Sequence, residues 1–238
     1  MTEIEDRGDE ARLVEVEVAD PPDAWAAAGF TVIDSAVRIG ATTFRLTGPG
    51  PEGERKIRSW TLSGLELGGS DLDGLPTHGA GTGGASGAGG DSSDADGATG
   101  AGPPHANGTI GLDHVVVLTP DLDRTIAALA NVGLGCRRIR ETESYGSPMR
   151  QAFFRLGPTV LEVISGDTGS GRPAAEAPAT WFGLAVDVVD LDATAALLGE
   201  GLGSIKGAVQ AGRRIATIRH KALDMSVAVA AMDDRGDR

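Results

Sequence analysis

A single cysteine, Cys136, is all the sequence offers for sulfur chemistry, so no internal disulfide can hold the fold, as expected for a reducing compartment. Arg137 and Arg138 follow it and would favour its thiolate, but no histidine stands beside it, and it reads as structural. No apolar run approaches the roughly 20 residues that a membrane-spanning helix needs. Nor do the first ten residues show a basic start followed by an apolar stretch; they are mostly acidic and polar. These absences predict a cytoplasmic protein without a membrane segment. Positive charge is scarce as well: Lys56, Lys206 and Lys221 are the only lysines, and 21 Lys and Arg stand against 34 Asp and Glu, a formal net charge of −13. Phosphate backbones and anionic lipid surfaces attract the opposite sign, which argues against nucleic acid and membrane as partners. An acidic surface of this kind mainly keeps a chain soluble.

Hydrophobic residues make up 40% of the 238, enough to bury a core in one or two domains. They are unevenly spread. From Gly79 to Gly108 (GAGTGGASGAGGDSSDADGATGAGPPHANG) no aliphatic residue is larger than Ala, and Phe, Tyr and Trp are missing. Such a stretch cannot offset the entropy of ordering it and is expected to behave as a flexible coil. The chain therefore divides into residues 12–68, a Gly-rich linker over 69–108, and residues 109–232, with charged tails at both ends. Glycine motifs inside the linker are composition and not phosphate loops, because no strand precedes them and no helix follows.

The last part contains an internal repeat. LDHVVVLTPDLDRTIAALANVGLG and FGLAVDVVDLDATAALLGEGLG superpose when Asp121-Leu122-Asp123 is laid on Asp190-Leu191-Asp192. Val115–Leu118 and Leu184–Val188 are rich in β-branched residues and suit buried strands. Asp121 and Asp190 are candidate helix N-caps, followed by the apolar stripes Leu122, Ile126, Leu129 and Leu191, Ala195, Leu198. Gly133, and Gly199 or Gly201, stop the helices. Three strand-like runs follow each helix: Cys136–Glu141, Met149–Leu156 and Thr159–Ile164, then Ile205–Val209, Arg213–His220 and Met225–Ala230. Each copy reads β-α-β-β-β over 109–166 and 180–232.

A shorter version of this order precedes the linker: a strand at Arg12–Val18, a helix at Asp23–Ala28, and strands at Phe30–Ile33, Ala36–Ile39 and Thr42–Thr47. IRSWTLSGL then resembles the opening strand of a further module, and Ser70-Asp71-Leu72-Asp73 a helix start cut off by the linker. Trp25 and Trp60 are expected to build this part's core or its docking surface.

GLDHVVVLTPDLDRTIAAL, with RQAFFRLGPTVLEVISG after it, resembles a module of the vicinal oxygen chelate superfamily, which includes glyoxalase, bleomycin-resistance and extradiol dioxygenase proteins. The shared features are a histidine on the first strand, a P-D-L-D helix entry and a glutamate in the fourth strand. The resemblance implies an α+β fold in which paired βαβββ modules form an incompletely closed barrel around a cavity, with a degenerate module before it. It also implies a divalent metal (Zn, Ni, Fe or Mn) held by His and Glu from each module, acting as a Lewis acid on a substrate with adjacent oxygens.

On this reading His114 and Glu162 are the candidate metal ligands, against the alternatives of a strand histidine without a role and a glutamate paired with Arg155. Glu162 interrupts the apolar run TVLEVI, where an isolated carboxylate is costly. Strand alternation puts it on one face with Val160 and Ile164. A two-residue turn at Gly157-Pro158 would pair Phe153 with Glu162, so that Gln151, Phe153 and Arg155 line the cavity with it. The second copy lacks the partners: Gly183 replaces the histidine, and the glutamate's place falls on Val227 or Ala228. One His and one Glu fall short of the three protein ligands of a stable site. His220 is a candidate third ligand or a surface histidine, Arg213 and Arg214 bind an anion or solvate a strand edge, and His78 and His105 fall with the linker. In the N-terminal module Arg45 takes the place of Glu162.

Three functions remain open from sequence. One is a metal-dependent lyase, isomerase or dioxygenase acting on a small oxygenated metabolite. Another is a metal-free protein that binds or sequesters a small molecule, as in the bleomycin-resistance branch. A third is a protein–protein module that docks through its N-terminal part. A homodimer pairing its first modules in trans would restore two His and two Glu.

Overall fold

A computed structural model describes residues 10–68, 71–80, 102–144, 147–166 and 176–234. In the C-terminal part the repeat seen in the sequence appears twice in space. The N-terminal elements are β1 (Arg12–Val18), α1 (Pro22–Ala27), β2 (Ala36–Ile39), β3 (Thr42–Leu46), β4 (Ile57–Ser63), β5 (Asp71–Leu72) and β6 (Leu75–Gly79). The first C-terminal module comprises β7 (Thr109–Leu118), α2 (Leu122–Ala130), β8 (Arg138–Ser144), β9 (Ser147–Leu156) and β10 (Thr159–Ser165). The second comprises β11 (Thr180–Val188), α3 (Leu191–Leu198), β12 (Lys206–Gly207), β13 (Arg213–Ile218) and β14 (Ala228–Asp234).

The helices begin where the sequence places their caps. The Asp121 side chain accepts from the Arg124 N–H and that of Asp190 from the Asp192 N–H, each satisfying a donor that the first helical turn leaves free. Leu122 and Leu129 are buried on one face of α2, with Ile126 packed partly against the same core. Gly133, at φ 87°, then turns the chain in a conformation that a side chain would strain.

The two C-terminal modules form one eight-stranded sheet, ordered β12-β13-β14-β11-β7-β10-β9-β8. Within each module the opening strand runs parallel to the last, and β7 meets β11 antiparallel at the centre. Eight flat strands would set β8 and β12 about 34 Å apart at the usual spacing of about 4.8 Å. Yet residues of β8 and of the β12 end line one cavity, so the sheet is rolled. Its ends do not pair, and the barrel stays open.

The N-terminal sheet, β2-β3-β1-β4-β6-β5, repeats the plan in reduced form, with β1 parallel to β3, β4 parallel to β6, and β1 antiparallel to β4. Three expectations change here. Phe30–Ile33 is not a strand; only Ile33 bridges to Ala36, across a turn in which Asp34 and Ser35 take positive φ. The helix start expected at 70–73 is a hairpin instead, because Asp73-Gly74 adopts the two positive φ values of a tight turn joining β5 to β6. The expected linker also loses both its ends. Leu75–Gly79 is a strand, and within 102–108 His105 and Asn107 are buried; residues 81–101 lie outside the described residues.

Residues 103–108 fasten the two parts. His105 Nδ1 accepts from the Thr31 N–H while its Nε2 meets the Arg38 carbonyl. Asn107 donates to the Ala28 carbonyl, and its own carbonyl accepts from Thr194 at the start of α3. Gly29 makes room for this: a Cβ on it would stand 2.8 Å from that of Asn107. Fully buried Asp20 forms another fastening, accepting from Trp25 Nε1, Arg55 and the Ser226 N–H. Asp73 forms a third, accepting from Arg124 and Thr125 at the start of α2. Trp60 and Trp181 meet edge to face at 4.7 Å between the sheets, and one continuous core runs through both parts.

Candidate functional site

The inner face of the first module carries the site. The hairpin β9–β10 turns at Gly157-Pro158 and pairs Phe153 with Glu162 and Gln151 with Ile164, as the two-residue turn predicts. On the other side of β10, Val160 pairs with His114 of β7. Burial alternates along β10, with Thr159, Leu161 and Val163 in the core and Val160, Glu162 and Ile164 on the opposite face. Glu162, Gln151, Phe153 and His114 therefore open on one cavity of about 640 Å³. Asp113, Arg138, Arg140 and Val160 line it with them, and residues 206–210, Ile215 and Met232 close it from the second module.

The polar floor is tightly arranged. His114 Nδ1 donates to Asp113 Oδ1 at 2.5 Å, which leaves Nε2 toward Glu162, 3.8 Å from its Oε2. Gln151 Nε2 donates to the other Glu162 oxygen at 2.6 Å, and Gln151 Oε1 is buried with no donor among the described residues. Burial pushes the Glu162 carboxyl above the usual range, against the opposing pull of His114, Gln151 and Arg140. Asp113 goes the other way: burial opposes its charge, but hydrogen bonds from His114 and Arg213 hold it below the usual range. Arg213 Nη1 reaches Asp113 Oδ2 at 2.6 Å and its other nitrogens meet Asp187 and Asp234.

The remaining candidates fall elsewhere. Arg155 is exposed and does not line the cavity; it stands one strand from Val160, and its long side chain reaches solvent instead. His220 is half-buried in a short 3-10 turn (His220–Leu223) away from the lining. Arg214 is held by Asp192 and Asp233, so it braces a strand edge and the start of α3. His78 lies exposed on β6, and His105 is a buried fastening. Cys136 is half-buried, with Sγ 3.4 Å from the Arg138 carbonyl.

The strand registers sharpen the comparison between modules. Val160 lies beside His114 and Ala228 beside Gly183, so the counterpart of Glu162 is Ala230, not Val227 or Ala228. No carboxylate stands there either. A Cβ on Gly183 would fall 2.3 Å from the Ala228 carbonyl oxygen, so the neighbouring strand closes the place of a second histidine. In the N-terminal sheet the same register sets Arg45 where Glu162 would be and Glu15 where His114 would be. The two form a bidentate ion pair at 2.6 and 3.0 Å.

A resident metal does not fit this donor set. His114 and Glu162 supply two ligands, Asp113 is turned to His114 Nδ1 and Arg213, and no group of three or more His, Cys, Asp or Glu gathers among the described residues. Sequence reasoning missed Asp113, Arg138, Arg140 and Met232. The alternation of Arg138, Arg140 and Thr142 along one strand face was the signal for the two arginines.

Residues 113–217 match the family described as the Glyoxalase/Bleomycin resistance protein/Dioxygenase superfamily. No curated protein matches the chain. Among solved structures, a mutant 4-hydroxymandelate synthase from Streptomyces coelicolor is similar with a TM-score of 0.63 at 13% identity, over 96% of this chain and 94% of that one. A xylose isomerase-like TIM barrel/4-hydroxyphenylpyruvate dioxygenase fusion protein is similar with a TM-score of 0.56 at 11% identity, over 95% of this chain and 49% of that one. At such identities the likeness shows the fold alone: two open, module-built sheets in one chain.

Proposed function

Because the chain carries over residues 113–217 a domain of the glyoxalase/bleomycin-resistance/dioxygenase (vicinal oxygen chelate) superfamily, we propose that its C-terminal cavity binds a small organic molecule through its own side chains, without a resident metal. The observation that carries this reading is the state of the two inherited donors. His114 is oriented by Asp113 and Glu162 is clamped by Gln151, so both are already hydrogen-bonded to protein with no third ligand beside them.

A two-ligand site leaves most of a metal's shell to water, which costs affinity. The same groups suit a ligand well. With Nδ1–H held by Asp113, Nε2 of His114 is turned to the Glu162 side of the cavity, and Glu162 beside it holds its proton to higher pH than an exposed glutamate. Phe153, Val160, Ile215 and Met232 add an apolar wall, in a volume within the usual range for small-molecule sites.

The test is metal content. Untagged protein equilibrated with Zn²⁺, Ni²⁺, Fe²⁺ or Mn²⁺ and then desalted should retain far less than one ion per chain. One tightly held ion per chain would establish the metal-dependent enzyme instead. Half an ion per chain in a dimer would establish a site shared by two first modules.

A further inference from the structure

The rim of the cavity says which chemistry it accepts. In a chain with 34 acidic and 21 basic residues, arginines find carboxylates readily. Arg45, Arg55, Arg124, Arg150, Arg213 and Arg214 each hold one. Arg138 and Arg140 do not: among the described residues neither side chain has a carboxylate within ion-pair distance or a hydrogen-bond partner. Two residues apart on β8, they emerge on the same face about 7 Å from each other, and both line the cavity. Lys206 adds a third cation from the opposite edge. The adjoining groove of about 740 Å³ has the opposite character, with Asp187, Asp233 and Asp234 on its wall, but there Arg213 and Arg214 answer the acids. Three cations therefore line this cavity, and two of them, Arg138 and Arg140, stand on one strand face with no carboxylate within ion-pair distance among the described residues.

We infer that the ligand is a small organic anion, whose carboxylate or phosphate is held by Arg138 and Arg140 and whose compact apolar body packs on Phe153, Val160, Ile215 and Met232. Two guanidiniums on one strand face can each present a pair of N–H donors to such a group, and hydrogen bonds between charged partners are about twice as strong as neutral ones. The position also orients the ligand. Arg138 lies beside Phe153 and Arg140 beside Gln151, so an anion seated on them sends its body inward over β9 toward Glu162 and His114. The inference rests on the cavity reading above and narrows it to a chemical class.

A matched panel tests it on the full chain: benzoate and phenyl phosphate as anions, benzamide as the neutral isostere and benzylamine as the cation, titrated by NMR in the presence of a chelator. Benzoate or phenyl phosphate should bind and benzamide and benzylamine should not, and the preferred anion tells carboxylate from phosphate. Binding should weaken at high salt and fall by about tenfold or more in the R138Q/R140Q variant, the loss expected for charge-assisted hydrogen bonds. Unchanged melting and an unchanged amide spectrum remote from β8 would show the variant folded. The inference is overturned if benzamide binds as well as benzoate, if benzylamine is preferred, if nothing binds at millimolar concentration, or if the variant keeps its affinity. Anion binding that appears only with added Zn²⁺ overturns the metal-free reading itself, since a metal would then be the anchor.

Discussion

Glu162 shows how one residue's surroundings set its chemistry. It is the sole carboxylate in an apolar strand, and its half-buried position disfavours its charge. Its folded-state carboxyl is raised above the ordinary 4.5 of glutamate, so the folded protein binds that proton more tightly than the unfolded chain does. The cost of ionising it is absent below the unfolded value and fully present above the folded one. Glu162→Gln should therefore gain stability relative to the parent as pH rises through this window, and the two should converge in acid. Melting temperatures of both proteins across the acidic range check this. A gain that is largest in acid would mean that His114, Gln151 and Arg140 outweigh burial.

At the scale of elements, α2 is the test of the repeat. Its N-cap, apolar stripe and terminal glycine are all local features, and each is where the sequence puts it. Leu129, with 1% of its surface exposed, sits at the helix–sheet contact. Leu129→Ala should cost about 2–5 kcal/mol, from lost transfer energy and the cavity left behind. Chemical denaturation measures it, and a cost below about half a kcal/mol would put this face of α2 outside the core. The strands after the helices were less legible. β12 shrinks to Lys206–Gly207, and β14 begins three residues later than the sequence suggests. Their ends are set by partners across the sheet, such as the pairing of Ala228 with Gly183, and pairing over that distance leaves no mark in local pattern.

For the molecule as a whole, the division at the Gly-rich stretch is one of sequence and not of packing. Asp20, Asp73 and Asn107 each reach across from one part to the other, and the core is continuous. A chain cleaved at a protease site inserted within residues 81–101 should stay together, its two pieces eluting as one species and parting only in denaturant. Separate elution under native conditions would mean that these contacts do not hold the halves.

Sequence alone determined the repeated βαβββ order, the helix caps, and the presence of one His and one Glu without counterparts, because each depends on residues a few positions apart or on simple periodicity. It also singled out Gln151 and Phe153, since a two-residue turn dictates the pairing of the strands beside it. Arg155 shares that pairing face and still fell outside, because a long side chain chooses between cavity and solvent only in three dimensions. Tertiary structure decided the rest: that Asp113 orients His114, that Arg213 holds Asp113 across 100 residues, and that Arg138 and Arg140 line the cavity with no carboxylate within ion-pair distance among the described residues. Those facts depend on how the rolled sheet brings distant charges together. Coulomb and hydrogen-bond energies act on distance in space, whatever the separation along the chain.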